Sequence, residues 1–180
     1  LPNLISVSRV FLVGPTIFGL SKNLPLLTLV SFSAIIASDF IDGMVARRLN
    51  TPSHYGTLVD HGADASVVIL ISAFLASHAM CPWALPITIA IAFGQYALDS
   101  RPQTIETLNG ENSRSPRPSV LGRVNGIVYF VFVGAGIAVY HTRDYVSAIV
   151  ADLSDTVLLA SAWLIVFTTI ISIWQRSRLL

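Results

Sequence analysis

Charge is what this sequence has least of. Only 12% of its 180 residues are Asp, Glu, Lys or Arg, while 53% are hydrophobic and the mean hydropathy is +0.69; soluble domains carry about 25% charged residues. A chain of this size has too little interior to hide so much apolar side chain from water, so lipid is its natural solvent. Cysteine is almost missing as well. Cys81 stands alone, which excludes an intramolecular disulfide framework and a metal site built on thiolates. A net charge of +1 leaves no basic surplus for a nucleic-acid partner. No internal repeat or low-complexity tract is present.

What the chain does have is apolar runs separated by breaks. Six are expected, at approximately Leu4–Leu20, Leu24–Arg48, Gly56–Ala79, Trp83–Leu98, Ser119–Tyr140 and Thr156–Trp174. Each approaches the roughly 20 residues a helix needs to cross about 30 Å of hydrocarbon. Pro25, Pro82 and Pro118 lie at or just before the start of runs, where a missing N–H costs nothing. The runs lack the period-2 alternation of membrane barrels, so helices are the reading. The expected fold is therefore all-α, a multi-pass membrane protein with six transmembrane helices in a single domain spanning residues 1–180. Asn3, Ser6 and Arg9 interrupt the first run and no small-residue cleavage pattern follows, so it is expected to remain as a span. Because the first residue is Leu1, an initiator methionine and a short amphipathic segment are expected ahead of it.

Orientation follows from the basic residues, which stay on the cytoplasmic side. With the amino terminus inside, Arg9, Arg47, Arg48, Arg101, Arg114, Arg117, Arg123, Arg176 and Arg178 fall on that face and only Lys22 and Arg143 fall opposite. Both termini are then cytoplasmic. The one long connection, Ser100–Pro118, reads as a cytoplasmic loop with a flexible distal part.

Of ten acidic residues, four cluster between Asp39 and Asp64 at the ends of two expected spans. Charges next to hydrocarbon are expensive and mark function. Asp39 and Asp42 are three apart, and Asp60 and Asp64 four apart, so each pair shares one helix face. The stretch from Gly43 to Val59 contains Asn50, Pro52, Ser53 and Gly56, turn chemistry that reverses the chain and brings the pairs face to face. Four converging carboxylates repel and require cations. Oxygen ligation favours Mg²⁺, Mn²⁺ or Ca²⁺ over zinc. His61 points about 100° away from Asp60 on a helix and is left outside the ligand set. Ion pairing with Arg47, Arg48 and Arg9 is the competing explanation, and it would require basic partners on faces where none is expected.

Written out, Asp39-Phe-Ile-Asp42-Gly43-Met-Val-Ala46-Arg47, eight residues, and Gly56-Thr-Leu-Val-Asp60-His-Gly-Ala-Asp64 resemble the complete CDP-alcohol phosphotransferase signature, DxxDGxxARx8GxxxDxxxD. The opening Pro2-Asn3-Leu4-Ile5-Ser6 with Arg9, and Pro118-Ser-Val-Leu-Gly122-Arg123, are similar to the short six-helix prokaryotic members, and nearest to the phosphatidylglycerophosphate synthase branch. The resemblance implies a transferase for phospholipid biosynthesis in the cell membrane, active on its cytoplasmic face. It would move a phosphatidyl group from CDP-diacylglycerol or a related CDP-lipid to a small polar alcohol, with release of CMP. It also implies two divalent ions, Mg²⁺ or Mn²⁺, held by Asp39, Asp42, Asp60 and Asp64, with Asp64 as the catalytic base. By the same carry-over Asn3, Leu4, Ile5 and Ser6 touch the donor, Gly43, Arg47, Ser53 and Gly56 surround its nucleotide and phosphates, and the enzyme is a homodimer.

Arg117 and Arg123 flank the fifth run and favour a phosphorylated acceptor, with glycerol 3-phosphate first and inositol phosphate as an alternative. The Asp60-His-Gly-Ala-Asp64 wording is instead similar to choline and ethanolamine phosphotransferases, which keeps inositol, serine, choline and ethanolamine open. An ion or proton transporter is the reading from a different class. It would place its acids near mid-membrane, whereas these adjoin the arginine-rich face.

Overall fold

Residues 2–49, 54–99 and 120–178 are described by the structure, a computed structural model. They form six α-helices and no strand: α1 (Pro2–Ser21), α2 (Pro25–Leu49), α3 (His54–Ser77), α4 (Ala84–Asp99), α5 (Val120–Thr142) and α6 (Ala148–Ser177), with a single 3₁₀ turn at Arg143–Tyr145 between the last two. Pro25 opens α2 as its first residue, where its ring presets the helical φ. The α1–α2 turn is tight. Asn23 adopts a left-handed φ of 50° there, a conformation asparagine tolerates better than most residues.

The helices succeed one another up and down. The start of α1 meets the ends of α2 and α3 that carry the acids, through Arg9, Asp39 and Asp60. At the same end of the bundle, Gln95 near the close of α4 donates to the Ile173 carbonyl of α6 at 3.2 Å. At the other end, His141 of α5 bonds Asn23 Oδ1 at 3.0 Å and Thr28 Oγ1 at 3.1 Å. This alternation gathers Arg9, Arg47, Arg48, Arg123, Arg176 and Arg178 at one end of the bundle and leaves Lys22 and Arg143 at the other.

The interior is a single apolar core. On α1 the residues Arg9, Val13, Thr16 and Leu20 are all buried and follow the i, i+4, i+7, i+11 spacing of one helix face. On α3 the buried stripe is Val67, Ile71 and Leu75; continued toward the helix start, it reaches Asp64 and Asp60. On α2, Thr28, Ser31, Phe32 and Ile35 are buried, and the same face continues to Asp39. The outer surface is also apolar, with Phe11, Leu26, Ile127 and Phe167 fully out of the core. Such a surface is satisfied by lipid and not by water. Polar contacts also join helices, as they do in a bilayer: Thr16 donates to Ser31 Oγ at 2.9 Å between α1 and α2, and Tyr129 and Thr169 share a 2.7 Å bond between α5 and α6.

Three stretches, Leu58–Ser77, Val124–Tyr145 and Ala148–Ser177, are long and apolar enough to cross a membrane, whereas the apolar parts of the other helices, Ser8–Ser21, Pro25–Ile41 and Ala84–Leu98, are shorter. Six helices are thus present as expected, and three of them reach span length among the described residues. The sixth helix begins at Ala148 and not at Thr156. Asp152 and Asp155 interrupt the apolar run but not the helix, and Asp155 forms an ion pair with Arg143 at 3.0 Å. The turn between the acid pairs is narrower than Gly43 to Val59, since α2 continues to Leu49 and α3 starts at His54, with Gly56 inside it.

Candidate active site

Three helices bring their charges to one point. Asp39 sits on α2, Asp60 and Asp64 on α3, and each carboxylate offers its Oδ1 to the guanidinium of Arg9 on α1. Arg9 Nη1 donates to Asp39 at 3.0 Å and also to Asp64, while Nη2 donates to Asp60 at 2.7 Å. The acids that the i, i+4 spacing of α3 places on one face are therefore joined to the α2 acid through Arg9.

The expectation that no basic residue shares their faces is corrected. Arg9 belongs to the buried stripe of α1 with Val13, Thr16 and Leu20, so its side chain points into the bundle and not toward the membrane surface as an anchoring charge. Its side chain is 0% exposed, against 54% for Asp39, 33% for Asp60 and 24% for Asp64. A guanidinium this deep is sustained only by charged hydrogen-bonding partners. The gradient among the acids opens the cluster on the α2 side and closes it toward Asp64.

His61 also differs from expectation. A ring nitrogen of His61 and carboxylate oxygens of Asp60 and Asp64 all lie within 4.8 Å of one another. The 100° step between neighbouring helix positions separates their directions, but a long side chain at an exposed position swings back across it. The His61 ring meets Tyr96 of α4 edge-on at 5.2 Å between centroids, and the Arg176 guanidinium of α6 lies 5.4 Å from the centre of that same Tyr96 ring. Tyr96 thus joins the cluster to α4 and α6. Nothing in the sequence pattern singles it out, since it is one aromatic among many in an apolar run.

Among the other expected site residues, Asn3, Leu4, Ile5 and Ser6 lie on the first turns of α1, Asp42, Gly43 and Arg47 on α2, Gly56 on α3 and Arg123 on α5. Their side chains, and Ser53 and Arg117 as whole residues, lie outside the described residues, as does the Ser100–Pro118 connection.

Among the described residues the cluster brings three carboxylates to the Arg9 guanidinium, with a His61 nitrogen close to two of them. Convergent carboxylates of this kind suit a hard divalent cation with oxygen ligands, and their present hold on a guanidinium shows that they act together on one positive charge. The donor set therefore fits a divalent ion. The site stands at the end of the bundle that carries most arginines, where a polar phosphorylated molecule would be drawn.

No curated protein and no solved structure matches the chain significantly. The family model for CDP-alcohol phosphatidyltransferase matches residues 1–174, nearly the whole chain, and the protein is a membrane-associated transferase of substituted phosphate groups belonging to that family.

Proposed function

We propose that this protein transfers a phosphatidyl group from CDP-diacylglycerol or a related CDP-lipid to glycerol 3-phosphate, releasing CMP. The family supports transfer from a CDP-alcohol donor and is generally dependent on divalent metal. The observation that carries the reading is the meeting of Asp39, Asp60 and Asp64 on one cationic group at the arginine-rich end of the bundle. In this reading the chain is one domain whose six helices all cross the plasma membrane, with both termini and the site on the cytoplasmic side, and it works as a homodimer.

Asp39, Asp42, Asp60 and Asp64 would hold two ions, Mg²⁺ or Mn²⁺. Bound there, divalent ions polarise the phosphoryl centre and neutralise the CMP leaving group. The remaining work belongs to the chain. Asp64 is the least exposed of the three described carboxylates and accepts the proton of the attacking hydroxyl, as a positioned general base does. The hydroxyl oxygen forms the new bond to the lipid-bearing phosphorus as the bond from that phosphorus to the CMP oxygen breaks. Arg47, with the forked donors of a guanidinium, holds the diphosphate, and Gly43, Ser53 and Gly56 leave room for the nucleotide. Asn3, Leu4, Ile5 and Ser6 border the donor, and Arg117 and Arg123 hold the acceptor phosphate.

A panel of acceptors offered to the purified protein with CDP-diacylglycerol and Mn²⁺, scored by product mass, tests this reading. Phosphatidylglycerophosphate is the expected product. A product formed only with inositol, serine, choline or ethanolamine would keep the chemistry and replace the acceptor.

A further inference from the structure

We propose that Arg9 competes with a divalent ion for the oxygens of the carboxylate cluster, so that its guanidinium weakens metal binding there. The ion takes carboxylate oxygens from the guanidinium, which stays beside the cluster because its buried head has no water to move to. The inference rests on the reading of the cluster as a divalent metal site.

Position comes first. Arg9 lies on the buried stripe of α1 with Val13, Thr16 and Leu20, so its head has no water to solvate it and depends on the acids. Valence comes second. One guanidinium takes one oxygen from each of three carboxylates on two other helices. It thereby performs the task a bridging ion performs, drawing together groups that would otherwise repel.

Exclusion follows from the shared atoms. A divalent ion seeking Asp39, Asp60 and Asp64 needs the electron pairs that already point at Nη1 and Nη2. An ion placed among them would stand a few ångströms from a buried positive charge, where repulsion is poorly screened. The two cations therefore compete. The consequence is a site that binds metal less tightly than its acids alone would.

The test is Mn²⁺ titration of the full chain in detergent micelles, read by the electron paramagnetic resonance signal of free Mn²⁺, with melting followed by tryptophan fluorescence. Arg9→Met keeps the length of the side chain and removes its charge. The expected result is Mn²⁺ binding tighter by about tenfold, since one nearby charge shifts an ionic equilibrium by at least about one log unit, together with a lower melting temperature without metal and a larger rise on adding Mn²⁺. Equal or weaker Mn²⁺ binding by folded Arg9→Met, while the unaltered protein still binds, overturns the competition and leaves the metal reading standing. If neither protein binds Mn²⁺, both fail. Should Arg9→Met resist purification even with Mn²⁺ present throughout, Arg9→Gln carries the same test. It removes the charge and keeps a polar side chain, so tighter Mn²⁺ binding than in the unaltered protein is expected, and equal or weaker binding overturns the proposal.

Discussion

Gly19 and Thr28 face each other across the α1–α2 turn so closely that a β-carbon on Gly19 would lie 2.5 Å from Thr28 Oγ1 and 2.9 Å from the Thr28 backbone nitrogen. Backbone cannot give way as a side-chain tip can. This contact sets how near α1 runs to α2 at the turn. Gly19→Ala is expected to destabilise the protein by about 1–3 kcal/mol, the usual cost of overpacking. Gly14, on the same helix, has nothing within 4 Å of its β-position, and Gly14→Ala should be neutral or stabilise by up to about 1 kcal/mol through helix propensity. Melting both variants in detergent checks the contrast.

Tyr129 and Thr169 join α5 to α6 through a 2.7 Å hydroxyl bond. Tyr129→Phe and Thr169→Val should each cost about 0.5–1.5 kcal/mol, as loss of a single hydrogen bond does. Because the two share that bond, the double variant should cost less than the sum of the single ones. Additive losses would show that the bond contributes nothing.

The helices and the acid pairs were legible in the sequence for one reason: charge is so scarce that each charged residue stands out against an apolar background. Helical spacing placed Asp60 with Asp64, and the turn residues between the two helices placed that pair opposite Asp39. Arg9 was harder, because an arginine near a helix start reads equally as a membrane-surface anchor. Its true signal was its spacing to Val13, Thr16 and Leu20, the buried face of α1. The early start of α6 was hidden for a related reason. Asp152 and Asp155 lower the local hydropathy, although the helix runs unbroken through them from Ala148. Tyr96 was not legible, since its place beside His61 and Arg176 depends on how α3, α4 and α6 pack.

Cys81, in the α3–α4 connection, donates its thiol to the Ser72 carbonyl at 3.4 Å, and burial pushes its pKa up to about 11. The thiolate is the reactive form, so raising the pKa lowers its share at any pH below that value. Maleimide labelling of the folded protein at pH 7.5 should be slower than that of the denatured protein by at least about 100-fold. Equal rates would place the thiol at the surface.

Asp64→Asn keeps the shape of the side chain and removes its ability to accept a proton. Turnover should fall by about 100-fold to 10,000-fold, the contribution of a positioned general base, while the CDP-lipid donor still binds. Turnover near that of the unaltered protein would assign the proton to another group.

The most direct test of the central claim is the rate of CMP release by the purified full chain in lipid nanodiscs, supplied with CDP-diacylglycerol and Mn²⁺, with and without glycerol 3-phosphate. The account predicts CMP only when donor, metal and acceptor alcohol are all present. CMP released at the same rate without any acceptor, or none released with any alcohol offered, would contradict it.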